Sequence, residues 1–203
     1  MSIILITGPS GSGKDTLLRH ARSHFPPEHL AFARRYITRP PDTNEDNFFV
    51  DDRAFACLQQ SGFFLSTWQA HGNCYGISWH EYEKTTVLQE QNQQQTPLLC
   101  SVSRTAIADF ERRFDRVITV LVSVSPVILA QRLSARARES EAEAATRLQR
   151  ADLPVQAREL IRFDNSAPLA ESSGRFTMLL EQLLNNTQIR HPRHIRPIRP
   201  IRH

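Results

Sequence analysis

The stretch IILITGPSGSGKDT, residues 3–16, decides how this chain folds. Residues 3–6 are apolar and β-prone, which is typical of a buried strand in a parallel sheet. Gly8 to Lys14 then fits the pattern G-x-x-x-x-G-K, a glycine loop that opens a helix. The inward-facing backbone N–H groups of such a loop, the helix N-terminus and the lysine attract phosphate groups. The stretch therefore predicts a nucleotide-binding loop, and a purely structural glycine turn is the alternative.

Further apolar and helical segments alternate after this loop. Residues 97–102, 116–124 and 160–163 predict strands, whereas 15–25, 126 to about 159, and 169–184 predict helices. The alternation indicates an α/β P-loop NTPase fold, a parallel sheet flanked by helices. We expect a small acceptor-binding insertion at about 34–95 and a helical lid at about 132–150.

Composition and charge argue against a membrane protein and against a nucleic-acid-binding protein. The chain has 40% hydrophobic residues and no apolar run of about 18 residues, so we expect a soluble, cytoplasmic protein with no membrane partner. The net charge of +4 becomes −1 when the five arginines of the last fourteen residues are set aside. We expect one P-loop domain at 1–186 and a disordered basic Arg/His/Pro tail at 187–203. Nucleic acid is therefore not the expected partner, and the oligomeric state stays open, a homodimer included.

The three cysteines, Cys57, Cys74 and Cys100, are odd in number and show no metal-binding spacing. We interpret them as buried or incidental thiols.

Several motifs resemble the guanylate kinase branch of the nucleoside monophosphate kinases from Ile3 to Leu184. They are the glycine loop itself, RYITRP (35–40) and FLSTWQAHGNCYG (64–76), with Arg132, Arg136 and Arg147 at the spacing of lid arginines.

Other positions depart from that branch. Asp42, Asn44 and Glu45 stand where it carries a second arginine, a glycine and a glutamate, so its second phosphate-binding arginine is missing. Ser66 stands in place of the glutamate that reads guanine, Ile77 replaces a hydroxyl residue, and the acidic pair expected around Leu99 and Ser101 is absent. A site that lacks these groups can no longer select guanine by hydrogen bonding.

This combination, including Asp15 directly after Lys14, is more similar to the family of ribose 1,5-bisphosphate phosphokinases. The resemblance implies transfer of the γ-phosphoryl group of ATP, with Mg²⁺, to a small sugar bisphosphate, yielding 5-phosphoribosyl 1-diphosphate. The alternatives are a guanylate kinase with an altered base pocket, a non-catalytic guanylate-kinase-like binding module, and a nucleic-acid-binding protein driven by the tail.

The roles that follow fall into four sets. Phosphoryl transfer is assigned to Lys14, Arg132 and Arg136, with Arg138 as a further lid candidate. Acceptor binding is assigned to Arg39, Tyr75 and Arg104, and Mg²⁺ binding to Asp15. Nucleotide binding is assigned to Gly8, Pro9, Ser10, Gly11, Ser12, Gly13, Lys14, Asp15, Thr16 and Asn165.

Each of the charged or aromatic candidates has a structural alternative. Asp15 can act only as a first-turn acid, and the lid arginines as a solvated helix face. Tyr75 can be merely packed, and Arg104 can pair with an acid of the following helix.

Overall fold

The computed structural model describes residues 2–40, 46–134 and 154–189. In chain order its elements are β1 (Ile3–Thr7), α1 (Lys14–His24), β2 (Ala31–Phe32), β3 (Arg35–Ile37), β4 (Asn47–Phe49), α2 (Asp52–Gln60), β5 (Phe64–Ala70), β6 (Asn73–Ser78), α3 (Trp79–Asn92), β7 (Leu98–Ser101), α4 (Ile107–Arg113), β8 (Val117–Ser123), α5 (Pro126–Ser134), β9 (Leu160–Asp164) and α6 (Leu169–Ile189). A short 3-10 turn, Arg104–Ala106, precedes α4.

A parallel sheet forms the centre of the described structure. Its strand order is β2-β7-β1-β8-β9, and every neighbouring pair runs parallel. The strand before the glycine loop, β1, is buried along its whole length and lies in the middle of the sheet. The carboxyl ends of β1, β7 and β8 therefore lie side by side, which is where ligands bind in open α/β sheets.

A second sheet is formed within the segment predicted to bind the acceptor. It has the strand order β4-β3-β6-β5; β3 pairs parallel with β4 and antiparallel with β6, and β5 pairs antiparallel with β6. Helices α2 and α3 belong to the same segment. The inserted region of the sequence is thus a small sheet with two helices.

Alternate side chains of β1 enter two apolar clusters on opposite faces of the parallel sheet. Ile4 and Ile6 pack with Phe176 of α6 in one cluster. Ile3 and Leu5 belong to the other, which also contains Leu65, Trp68 and Ile77 from the second sheet. The second cluster therefore joins the second sheet to the parallel sheet.

The start of α5 agrees with the sequence prediction of a helix after Ser125-Pro126. The Ser125 hydroxyl accepts a hydrogen bond from the backbone N–H of Ile128 at 3.3 Å, so it caps the first turn. Proline is well placed there because its missing N–H would have no helical partner.

Two predicted helix ends are wrong. Residues 154–159 are not helical: Pro154 cannot donate to a helix, and the backbone N–H of Arg158 donates instead to the Glu111 carboxylate at 2.7 Å. At the other end α6 continues to Ile189, three residues into the predicted tail, because no proline interrupts the helix before Pro192.

Other predictions lie outside the described residues. These are the remainder of the lid from 135 to 150, including Arg136, Arg138 and Arg147, the positions Asp42, Asn44 and Glu45, and the tail from 190 onwards. In the part that is described, no helix has both the length and the apolar character needed to cross a membrane.

Candidate active site

The glycine loop leaves β1 close against the neighbouring strand. Gly8 has a φ of +151°, and a Cβ atom there would lie 2.2 Å from the carbonyl oxygen of Val122 in β8. At the other end of the loop Gly13 has a φ of +85° and precedes the first helical residue. Only glycine suits these two positions, so the spacing of the motif follows from the sterics of the turn.

Lys14 lies over the inside of the loop. Its ammonium group donates to the carbonyl oxygens of Gly8 and Pro9, each at 2.8 Å, and lies 3.5 Å from the Ser12 hydroxyl. The loop and the first turn of α1 thus present a cation and a helix N-terminus together. This arrangement fits the β- and γ-phosphates of a nucleotide, since a phosphate oxygen is a stronger acceptor than a peptide carbonyl.

Asn165 lies behind the loop, at the end of β9. Its side chain is 3% exposed and donates to the Ser12 carbonyl oxygen at 2.7 Å, while its own backbone N–H donates to Ser123 at 2.8 Å. The loop backbone is therefore tied to β8 and β9 by one buried amide. Contact of Asn165 with the nucleotide stays a prediction.

Arg132, near the end of α5, also contacts the backbone of Ser12 and Asn165. Its guanidinium donates to the carbonyl oxygen of Asn165 at 3.0 Å and to that of Ser12 at 3.4 Å. The predicted lid arginine is thus adjacent to the phosphate loop. Its contact with a transferring phosphoryl group stays a prediction.

Asp15 follows Lys14 in the first turn of α1 and is 42% exposed at its side chain. It lies 3.5 Å from the guanidinium of Arg35 in β3. Within the described ranges no three His, Cys, Asp or Glu side chains cluster as metal ligands. A Mg²⁺ ion bound by Asp15 could take further ligands from nucleotide phosphates and water, as Mg²⁺ commonly does.

Arg39 and Tyr75 are carried by adjacent segments of the second sheet. Ile37 pairs with Tyr75 between β3 and β6, and the next residue, Thr38, exchanges hydrogen bonds with Cys74 at 3.0 and 3.1 Å. Tyr75 stacks on Trp68 with ring centroids 5.7 Å apart and remains half-buried. Packing thus orients the ring, and the predicted pair lies at the same end of the sheet.

Arg104 lies three residues after the end of β7, at the start of the 3-10 turn in which the Ser103 hydroxyl accepts a hydrogen bond from the Thr105 N–H at 3.4 Å. It is half-buried, and this burial lowers the pKa of its guanidinium from the ordinary value. A partly desolvated cation at the carboxyl edge of the sheet is stabilised by an anionic partner. The position agrees with the predicted second phosphate contact, which stays a prediction.

The positions that would read guanine have other contacts. Ser66 is 4% exposed and donates to the Asp109 carboxylate at 3.1 Å, whereas Ile77 is completely buried in the apolar cluster that joins the two sheets. Leu99 is buried in the opposite cluster. These three side chains thus serve packing or an internal hydrogen bond.

Sequence reasoning missed Arg35. The residue lies in the same RYITRP motif as Arg39, but only Arg39 was a candidate. Arg35 reaches Asn47, Ser101 and Asp15 at 3.1, 3.4 and 3.5 Å, and so connects the second sheet to β7 and to the first turn of α1. A second arginine in a phosphate-binding motif was the available signal.

Comparison of the sequence with known proteins identifies its family. The profile of the guanylate kinase family matches residues 1–167. A ribose 1,5-bisphosphate phosphokinase of Desulfomicrobium baculatum is 40% identical over 177 residues, covering 83% of this chain and 88% of the relative. One of Acidiphilium cryptum is 43% identical over 158 residues, covering 76% and 80%.

The fold also has a solved counterpart. The crystal structure of guanylate kinase from Anaplasma phagocytophilum aligns with a TM-score of 0.56 and 18% identity, covering 93% of this chain and 87% of the other. At that identity the likeness supports the fold alone.

Proposed function

The chain belongs to the guanylate kinase family and, within it, to the ribose 1,5-bisphosphate phosphokinases, and we propose on that premise that it phosphorylates ribose 1,5-bisphosphate with ATP. The product would be 5-phosphoribosyl 1-diphosphate, formed during the breakdown of phosphonates. The relatives that match over most of their length carry this activity in their names.

The observation that carries the proposal is the combination of a complete phosphate loop with closed guanine positions. Ser66 already donates to Asp109, and Ile77 is part of the core. Guanine would find neither the carboxylate nor the hydroxyl that recognise its polar edge. A phosphorylated acceptor without a base leaves no such group unpaired.

Lys14 and the loop amides would hold the β- and γ-phosphates of ATP. The ammonium is already inside the loop, so it can follow the developing negative charge without a large movement. Arg132 lies next to the loop and would add positive charge when the lid closes. Mg²⁺, when bound, neutralises phosphate charge, and Asp15 would hold it directly or through water.

Arg39 would grip the acceptor 1-phosphate, and Tyr75 would add a hydroxyl contact from the neighbouring strand. Arg104 would hold the 5-phosphate from the carboxyl edge of β7. The two phosphates would thus be held from different elements, which fixes the direction of the sugar between them.

The reaction needs little proton transfer. An oxygen of the 1-phosphate, already ionised near neutral pH, attacks the γ-phosphorus of ATP. The bond from that phosphorus to the β–γ bridging oxygen breaks, and ADP leaves with the electron pair. Charge neutralisation and alignment by arginine and lysine side chains therefore supply the catalysis, and no general base is required.

Phosphorus NMR tests the proposal. The purified full chain is incubated with Mg²⁺ and ATP, and either ribose 1,5-bisphosphate or GMP is added as acceptor. We expect diphosphate signals of 5-phosphoribosyl 1-diphosphate with the sugar and no GDP with the nucleotide. Turnover of GMP alone would favour a guanylate kinase with an altered base pocket, and no turnover of either would favour a binding module.

Lys14→Met is the catalytic control in the same assay. Loss of the ammonium should lower kcat by about 10²–10³-fold without unfolding the protein. Equal activity of this variant and the unchanged chain would assign the signal to a contaminating kinase.

We also propose that the reaction takes place in the cytoplasm, because ATP and sugar phosphates are charged and do not cross membranes unaided. A homodimer stays a prediction, to be measured by light scattering of the purified chain.

A further inference from the structure

Arg35 is a mostly buried cation at the junction between the two sheets. Its side chain is 16% exposed, and its guanidinium contacts Asn47 of β4, Ser101 at the end of β7 and Asp15 of α1. These three partners come from three different elements. Arg35 therefore projects from the second sheet towards the carboxyl edge of β7 and the first turn of α1.

The backbone around Arg35 is held on both sides. Glu81 of α3, itself 4% exposed, accepts the backbone N–H of Arg34 at 3.0 Å. On the other side Tyr36 stacks on Phe48 with centroids 4.7 Å apart. The neighbouring residues on both sides thus fix the backbone from which the Arg35 side chain extends.

The guanidinium contacts are of unequal quality. The bond from its Nε to Asn47 is 3.1 Å, whereas the bonds from its two terminal nitrogens to Ser101 and Asp15 are 3.4 and 3.5 Å. Strong charge-assisted hydrogen bonds are about 2.7–2.9 Å long. A phosphate beside Ser101 could therefore replace the 3.4 Å contact with a shorter one, while Asn47 and Asp15 keep the guanidinium in place.

Arg35 and Arg39 belong to one extended segment and are four residues apart, so their Cα atoms lie at most about 14 Å from each other. Arg39 lies beyond the end of β3, whereas Arg35 lies at its start, beside the end of β7. Arg104 also follows β7, so an anion near Ser101 would have two guanidinium groups in its neighbourhood.

We propose that Arg35 binds the phosphomonoester of the acceptor that takes no part in the transfer, the 5-phosphate of the sugar, and that Asp15 positions its guanidinium. The inference rests on the proposed function and adds Arg35 to Arg104 as the second anchor of the bisphosphate. It also gives the carboxylate after Lys14 a role that a serine or threonine could not perform, since it offsets and orients a buried cation.

Steady-state kinetics with two acceptors test the assignment. Ribose 1,5-bisphosphate carries the 5-phosphate, and ribose 1-phosphate lacks it. We expect Arg35→Gln to raise KM for the bisphosphate about 10- to 100-fold, with KM for ATP unchanged and no effect on ribose 1-phosphate. The matched control is Arg53→Gln, at an exposed position of α2, which should change neither acceptor. Should Arg35→Gln fail to fold, Arg35→Lys replaces it, because lysine keeps the charge and loses the bidentate grip.

The role of Asp15 has its own readout. Asp15→Asn should raise the Mg²⁺ concentration at half-maximal rate with both acceptors, as the metal role proposed above requires. It should in addition raise KM for the bisphosphate, but not for ribose 1-phosphate, by a smaller factor than Arg35→Gln does, and should add nothing to the effect of Arg35→Gln on that KM in the double variant. Equal changes of KM for the two acceptors in Asp15→Asn would overturn the positioning role. An equal loss with both acceptors in Arg35→Gln would overturn the assignment of Arg35.

Direct binding separates this inference from the proposed function. Calorimetric titration with ribose 5-phosphate should show at least tenfold weaker binding to Arg35→Gln than to the unchanged chain. That result supports the anion site even if ribose 1,5-bisphosphate is not turned over. Equal affinity of the two proteins for ribose 5-phosphate would refute the site, whatever the acceptor proves to be.

Discussion

Replacing Asn165 by alanine should loosen the phosphate loop from behind. The amide is 3% exposed, and its 2.7 Å bond to the Ser12 carbonyl is the direct link from β9 to the loop. Removing one partner of a buried hydrogen bond costs about 1–3 kcal/mol, because the other partner loses an acceptor or donor that water does not replace. Arg132 still reaches Ser12 at 3.4 Å and would compensate in part.

The magnitude translates into two measurable changes. For a domain of this size 1 kcal/mol shifts Tm by about 2–4 °C, so we expect Asn165→Ala to melt about 4–8 °C lower for a middle value of 2 kcal/mol. If about 1 kcal/mol of that loss falls on the loop conformation that binds phosphates, the affinity for ATP should fall about fivefold.

Differential scanning fluorimetry and calorimetric titration with a non-hydrolysable ATP analogue measure the two effects. Asn185→Ala is the matched control, since this asparagine is exposed on α6 and its replacement should stay within about 0.5 kcal/mol. The reasoning is refuted if Asn165→Ala and Asn185→Ala have the same Tm, or if Asn165→Ala melts lower with unchanged affinity for the analogue.

Three further changes test the packing around the site. Gly8→Ala should lower Tm by more than 10 °C or prevent folding, because its Cβ atom would lie 2.2 Å from the carbonyl oxygen of Val122. Gly174→Ala in α6 is the control: its Cβ atom would meet nothing within 4 Å, and Tm should rise because alanine has the higher helix propensity. Glu81→Ala leaves the N–H of Arg34 without its acceptor and should cost about 1–3 kcal/mol in chemical denaturation, unlike an alanine at the exposed neighbour Glu83. Burial raises the pKa of the Cys100 thiol, so at pH 8 peptide mapping should find Cys57 alkylated in the folded protein and Cys100 alkylated only after unfolding.

The sequence was informative where structure depends on near neighbours. The loop from Gly8 to Lys14 is recognisable because its glycines answer local steric demands, and the Ser125-Pro126 start of α5 because capping acts over one turn. The segment from 154 to 159 shows the limit of such reasoning. Its composition suits a helix, but Glu111, more than forty residues away, takes a backbone N–H that a helix would need.

For the candidate site, the sequence predicted which residues take part but not what they contact. Lys14, Arg39, Tyr75 and Arg104 could be named as candidates because each belongs to a motif or follows a strand end. What each of them faces was not predictable, because a motif carries no information about the side chains that other segments bring against it. Tyr75 thus stacks on Trp68, and Ser66 is occupied by Asp109.

By itself the sequence determined that the chain carries a phosphate loop on a parallel α/β sheet, since glycine spacing and the periodicity of apolar residues act over a few residues. Only the tertiary structure decided that Asn165 supports Ser12 across 153 residues, and that Arg35 meets Asp15 across 20. Both contacts join segments that are brought together by the packing of the two apolar clusters. That packing involves residues far apart in the sequence, so a local sequence pattern does not predict it.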